Sequence, residues 1–480
     1  MEFFEWEQMD KLGEYYDTLS FSDIIHDNIT SFEIQRDENF NIIMECLYKN
    51  HDNRQVRNER KPLGTVEYIT SEAIFKSSYD SKPLLNLSGI SQSNTHIEYV
   101  RNESAGCVSS YTIHKLAVSI DPSLEPYYII DWVLNLDLGS YVWPETTSTD
   151  SKEEITTTIG SNNPVIFSSE SFNGGGSKSC CSISICGIDI YFGKATNSGI
   201  DEKFSPGYII YKKKPSDNFS QEIINALSFM VGRKVIYIGN IILNEQKKVV
   251  SKEFISPNTM NGLFLNSPPQ PPCKLMNESS KYFLSDSKVI EKFLSNFIEN
   301  YNKYDIEHVL WLYYHATIAP VHLQAVCFGA VLEFLQKMFI QENKTNFSST
   351  LIPKDEWKKI STLLKSSILS IKELDEEAYA VFNNKISNLN MTPQSILTSR
   401  FFDIIDIKLG DIEKKSYSRR NDAAHGNKTP NNDYISLIRD NKILRVLCNR
   451  VIIKILYLSD NYCDFYTFDN PFRNISDPIE

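Results

Sequence analysis

Hydrophobic and polar positions follow one rhythm in the first half of the chain and another in the second. Residues 112–120, 127–136, 182–192, 208–212 and 234–243 form short runs, rich in β-branched and aromatic side chains and partly alternating, which predicts strands. Residues 31–36 and 40–48, separated by Asp37-Glu38-Asn39, predict a hairpin, because those three residues tolerate turn geometry. Within this half, residues 220–231 place Ile223, Ile224, Leu227, Met230 and Val231 at helical spacing and predict a helix that covers a sheet. Polar interruptions at 51–61, 147–163 and 169–179, the last containing Gly174-Gly175-Gly176, predict surface loops.

Asn266-Ser267-Pro268-Pro269-Gln270-Pro271-Pro272 removes backbone donors and favours an extended linker, and the pattern changes beyond it. Helices are predicted at 287–301, 305–318, 321–341, 353–374, 376–389, 395–408, 413–425 and 434–458. Pro353 suits a helix start, where its missing donor costs nothing, and Asp375 suits an N-cap. The fold class expected is therefore α+β. A β-rich N-terminal domain at 1–265 and a proline-rich boundary at 266–284 precede an all-α helical bundle at 285–480.

Composition narrows the picture. A chain of 480 residues exceeds what one core usually supports, and 41% hydrophobic with 23% charged residues is an ordinary globular balance. The formal net charge of -12 repels nucleic acid, so any contact with it needs a local basic patch. Between Lys408 and Lys428 the cations Lys408, Lys414, Lys415, Arg419, Arg420 and Lys428 face the anions Asp411, Glu413 and Asp422, so 6 - 3 = +3. The 9 cysteines suit buried free thiols in a reducing compartment and point to the cytoplasm. The opening Met1-Glu2-Phe3-Phe4-Glu5-Trp6-Glu7 lacks a cationic and then apolar segment, which predicts no signal peptide. Unbroken apolar runs fall short of the roughly 20 residues of a membrane span, so no membrane partner is expected.

The chemistry concentrates in Ser418-Arg419-Arg420-Asn421-Asp422-Ala423-Ala424-His425-Gly426. On a helix, Asn421 and His425 lie four apart on one face, and Arg420 can converge with them at the helix end. Gly426 and Asn427 suit a C-terminal cap, and the negative end of the helix dipole favours the imidazolium form of His425. These are the parts for attack of a ribose 2′-hydroxyl on the adjacent phosphorus. His425 transfers the proton, Arg420 holds the phosphate oxygens with its planar fork, and Asn421 orients the phosphate or the ring. Neither a metal nor a cofactor is called for. Glu333, in an apolar helix, either holds Arg420 or faces solvent. In the competing reading Arg420 pairs with Asp422 or Glu413 and His425 merely ends a helix.

Arg420-Asn421, three residues, His425 and then glycine, near the end of a helical C-terminal region, resembles the HEPN ribonuclease motif. The order of a β-rich half before a helical one resembles the ApeA-like group of that superfamily. Residues 32–42 and 227–233 are also similar to that group's N-terminal domain. The resemblance implies a metal-independent endoribonuclease of bacterial antiphage defence acting by abortive infection. It further implies a homodimer or higher homo-oligomer pairing two motifs around an RNA substrate, and a phage-derived trigger. Arg419, Lys414, Lys415 and Lys428 would support RNA binding. The alternative is a non-catalytic HEPN-like dimerisation or binding module whose β domain recognises a ligand; several tyrosines on predicted strands suggest a weaker third reading, carbohydrate binding.

Other clusters read more plainly. Cys180, Cys181 and Cys186 with His114 can be drawn as a zinc site, but no second ligand pair has a usual spacing, which favours buried thiols. His308, His315 and His322 recur every seven residues, about 10.5 Å per step on a helix, too far to share one metal ion. They read as one packed or interfacial face. Gly174-Gly175-Gly176 resembles no phosphate loop, since Lys178-Ser179 leads into a strand rather than a helix.

Overall fold

The structure is a computed structural model, described for residues 18–22, 24–25, 29–48, 71–76, 85–100, 103–121, 123–159, 165–195, 204–257, 262–277, 283–343, 347–348, 350–424 and 434–479. The chain forms two compact units. One comprises Met1–Pro271 with Leu275–Ile298, the other Pro272–Lys274 with Glu299–Glu480.

The first unit is built on an antiparallel sheet. Its strands are β1 (Thr18–Ser22), β2 (Ile29–Arg36), β3 (Ile42–Tyr48), β4 (Glu72–Lys76), β5 (Leu85–Val100), β6 (Glu103–Ser119), β7 (Tyr128–Leu134), β8 (Glu145–Ile159), β9 (Val165–Ile185), β10 (Ile188–Lys194), β11 (Gly207–Lys212), β12 (Ile236–Leu243) and β13 (Val249–Ile255). They run in the order β1-β4-β5-β6-β13-β12-β7-β11-β10-β9-β8. Strand β6 is long enough to serve two partners along one edge, β3 against its middle at Cys107–Ile113 and β13 against its end. One core lies beneath β2 to β6, where Ile34, Ile42, Met44, Phe75, Leu85 and Leu116 are wholly buried.

The predicted hairpin and most predicted strands are present, but residues 182–192, expected as one strand, turn at Cys186-Gly187 and divide between β9 and β10. The segments that carry the N-terminal resemblance are tied in by half-buried Arg36 and buried Arg233. In the turn between β2 and β3, Asp37 Oδ1 accepts from the amides of Asn39 and Asn41, each at 2.8 Å. Arg36 at the end of β2 donates to the carbonyls of Ile238 at 2.8 Å and Ile255 at 3.1 Å, stapling the hairpin to β12 and β13. Burial lowers its pKa to about 9. Helix α1 (Asp217–Val231) starts at Ser216, whose hydroxyl accepts from the Phe219 amide, and ends at Gly232 with φ 71°. Arg233 then donates to the carbonyls of Asn135 at 3.1 Å and Ser267 at 3.2 Å.

Other segments also differ from the sequence reading; residues 353–374, expected as one helix, form two helices that meet at Ile368. Residues 147–163 and 169–179, expected as loops, belong largely to β8 and β9, which pair from Glu145↔Cys180 to Ile159↔Val165. This Ser-, Thr- and Gly-rich ribbon rests on backbone pairing, so it lacks the apolar alternation that marks a half-buried strand. The proline stretch is also no free linker. Pro271, Pro272 and Cys273 are buried; the Gln270 amide donates to the Val231 carbonyl at 3.1 Å, and the Pro272 carbonyl accepts from Cys463 at 2.8 Å. The division between units falls instead near the end of helix α2 (Ser287–Asn300), whose Phe293 and Phe297 pack on Phe229 of α1.

The second unit is mainly helical: α3 (Ile306–Ile318), α4 (Val321–Glu342), α5 (Lys354–Ser367), α6 (Leu369–Leu374), α7 (Glu376–Asn388), α8 (Gln394–Ile404), α9 (Asp411–Ala424) and α10 (Tyr434–Ile455). The short strands β14 (Asn461–Cys463) and β15 (Phe472–Asn474) follow. Pro353 stands immediately before α5, and Asp375 caps α7 by accepting from the Ala378 amide. Helix α4 is long and apolar enough to cross a membrane by length and composition. Counting unbroken runs passes over it because Gln324, Glu333 and Gln336 interrupt the apolar residues. Its Phe328, Val331, Leu332 and Leu335 are buried in the unit.

Candidate functional site

Helix α9 carries the arginine of the motif, and its start is fixed by a carboxylate that serves two partners. Glu413 Oε2 accepts from the Gly410 amide at 2.8 Å, the reciprocal half of a capping box. Its other oxygen pairs with Arg450 of α10, both side chains being fully buried. Arg450 also donates to the carbonyls of Ile475 at 3.1 Å and Lys408 at 3.2 Å, which joins α9, α10 and the final segment. Burial pushes the Glu413 carboxyl up, against the pull of Arg450. Glu413 is therefore not the partner of Arg420 that the competing sequence reading offered.

One turn before the motif, Ser416 donates to Asp440 at 2.7 Å, and Arg419 donates to the other oxygen of the same carboxylate at 2.9 Å. These contacts fix how α9 lies on α10.

Arg420 is the centre of the site and is nearly enclosed, with 7% of its surface exposed. Its Nη2 lies 2.7 Å from Glu333 Oε1 and its Nη1 donates to the Gly329 carbonyl at 3.3 Å. The guanidinium lies over Tyr417, 3.9 Å from the ring centroid. Among the described residues the enclosed Nε has no acceptor. Of the two readings of Glu333, the structure selects the one in which it holds Arg420, although its side chain is 54% exposed. Burial raises the Tyr417 phenol, with Arg420 opposing; burial likewise pushes up the Cys448 thiol, whose Sγ reaches the Phe328 carbonyl at 3.6 Å.

Two contributors escaped the sequence reading. Gly329 lies where a Cβ would stand 2.9 Å from Arg420 Cδ, so a larger residue would press on the arginine. A lone glycine inside a helical apolar run is the available signal for such a close approach. Tyr417 stands three residues before Arg420, a spacing that places side chains together on a helix.

The remaining predicted residues separate. Lys414 and Lys415 are exposed while Arg420 points inward, so they do not converge on it. Asn421 belongs to the backbone of α9, but its side chain lies outside the described residues, as do His425 and Lys428 altogether. Among the described residues no group of three His, Cys, Asp or Glu side chains is placed to hold a metal ion. His308 and His315 flank the exposed Trp311 along α3, with ring centroids 6.0 and 4.3 Å from the indole. Of the three cysteines that the sequence suggests as buried thiols beside His114, only Cys181 is buried; Cys180 is half-buried and Cys186 exposed.

Chemically, the arrangement is a guanidinium already facing one oxyanion, at the helix turn that leads into Asn421. No protein-family model matches this chain, no curated protein matches it, and no solved structure does.

Proposed function

We propose that the protein is a metal-independent endoribonuclease of bacterial antiphage defence, acting by abortive infection through Arg420, Asn421 and His425. The observation that carries the reading is the Arg420–Glu333 contact at 2.7 Å. An oxyanion already occupies the guanidinium, and it belongs to a side chain more than half exposed, so an RNA phosphate can exchange with it, anion for anion. Arg420 then neutralises the charge that develops on the phosphate as the 2′-oxygen bonds to phosphorus and the bond to the 5′-oxygen breaks, His425 carrying the 2′-hydroxyl proton to that leaving oxygen. The products are a cyclic phosphate and a 5′-hydroxyl, and DNA is inert. Two motifs from two copies would complete one site.

One observation favours a second reading. The enclosure of Arg420, with a carboxylate, a carbonyl and a ring around it, is also what a structural arginine presents, and this suits a non-catalytic binding module. The readings part on one experiment. Purified protein in excess chelator is incubated with RNA, alongside Arg420→Ala and His425→Ala. The ribonuclease reading expects cleavage by wild type alone, with both variants folded and silent. Cleavage retained in both variants would remove these residues from the chemistry.

A further inference from the structure

A cavity of about 330 Å³ lies in the helical unit, between the first half of α5 and the chain just beyond α7. One wall is a single face of α5, since Lys354, Trp357, Lys358 and Ser361 fall within about 100° of arc. The facing wall contains Asn390 and Met391, and it is fixed by the backbone before α5. Asn390 Oδ1 accepts from the Ile352 amide and its Nδ2 donates to the Ile352 carbonyl, each at 2.8 Å. Met391 forms an antiparallel bridge with Thr350. The cavity is therefore built by the fold.

Its charge has one sign. Lys354 and Lys358 line it and no carboxylate does. Asp355 and Glu356 stand about 100° and 200° around α5 from Lys354, outside the arc of the wall. Glu376 and Glu377 open α7, at the end away from Asn390. Among the described residues neither lysine forms an ion pair. Two ammonium groups four residues apart on one helix face match a phosphate monoester, which carries a charge of about -1.5 to -2 near pH 7. Lys354 is also the first residue of α5, where the helix dipole favours an anion.

The rest of the lining suits a flat ring. Half-buried Trp357 supplies an aromatic surface, and Met391, 62% exposed, supplies a polarisable thioether on the other wall. Little is left to read the edge of that ring. Both amide atoms of Asn390 are spent on Ile352, and the Ser361 hydroxyl donates to the Lys358 carbonyl at 3.1 Å. The volume lies at the small end of the roughly 300–1,000 Å³ of ligand pockets, which suits one nucleotide rather than a strand.

We propose that this cavity binds a free nucleoside 5′-monophosphate, its phosphate held by Lys354 and Lys358 and its base between Trp357 and Met391. The site does not depend on the ribonuclease reading. Isothermal titration calorimetry of the full chain with AMP, without RNA, tests it. Wild type is expected to bind one AMP per chain with Kd below about 1 mM, and adenosine and inorganic phosphate each about tenfold or more weaker. Lys354→Gln with Lys358→Gln weakens AMP by about tenfold or more, with unchanged far-UV circular dichroism because both side chains are exposed. Lys359→Gln, on the same helix but outside the cavity, leaves AMP binding unchanged. Trp357→Leu weakens AMP and leaves inorganic phosphate as it was. Arg420→Ala retains AMP binding, which separates this site from the motif. A wild-type chain with no saturable AMP binding up to roughly 10 mM would overturn the proposal, as would binding that survives in the double lysine variant.

Discussion

A glycine sets how closely Arg420 can lie against helix α4. Replacing Gly329 with alanine adds about 1 kcal/mol of helix propensity. It also puts a methyl group 2.9 Å from Arg420 Cδ, so the arginine has to shift. Gly329→Ala is therefore expected to change thermal stability little while lowering the proposed RNA cleavage, measured on the same preparation. The Glu413–Arg450 pair is a different case, because neither side chain has access to water. Glu413→Ala strands a buried guanidinium and is expected to cost about 3–5 kcal/mol by denaturant unfolding; Glu413→Leu with Arg450→Met should recover much of it. Nothing local announced that pair, whose members are 37 positions apart. Asp131 on β7 supplies the pH dependence. Burial raises its carboxyl to about 7, against hydrogen bonds from Ser220 and Tyr211, and Ser220 donates to it at 2.6 Å. The folded state thus keeps a proton that the unfolded state releases near pH 4. Its contribution is fully present below that pH, falls by at most about 1.4 kcal/mol per pH unit up to about 7, and is flat above. Asp131→Asn should remove this slope from urea unfolding measured across the window, and an unchanged slope would contradict the assignment.

Among the elements, helices packed in the core, such as α4, were more legible than the β8–β9 ribbon because their signal is carried by burial. Helix α4 was expected at 321–341 and spans Val321–Glu342, with the apolar residues between Ala325 and Phe339 giving the period. The β8–β9 ribbon was illegible for the converse reason: its Ser, Thr and Gly residues pair through the backbone and bury little. The proline stretch misled because proline removes donors without preventing its carbonyls from accepting, and Pro272 accepts from Cys463. The end of α1 was easier to foresee, since Gly232 adopts the left-handed conformation that favours glycine at a helix end. A Cβ there would lie 1.7 Å from the Gln270 carbonyl oxygen. Gly232→Ala is accordingly expected to cost more than the roughly 1–2 kcal/mol of the backbone conformation alone, read by denaturant unfolding.

For the whole molecule, a net charge of -12 and the proposed RNA substrate have to be reconciled locally. The basic stretch anticipated between Lys408 and Lys428 is partly spent within the fold: Arg419 faces Asp440 and Arg420 faces Glu333, which leaves Lys408, Lys414 and Lys415 exposed among its described residues. Of the candidate site, the sequence made Arg420 and its helix legible; it left Glu333 evenly balanced and missed Gly329 and Tyr417, which reach Arg420 through packing. The proposed transfer needs a ribose 2′-hydroxyl. Mass spectrometry of RNA cut in excess chelator tests this directly. Cyclic phosphate or 3′-phosphate ends, lost in Arg420→Ala and His425→Ala, are the expected result; 3′-hydroxyl ends, or product undiminished in those variants, would contradict it.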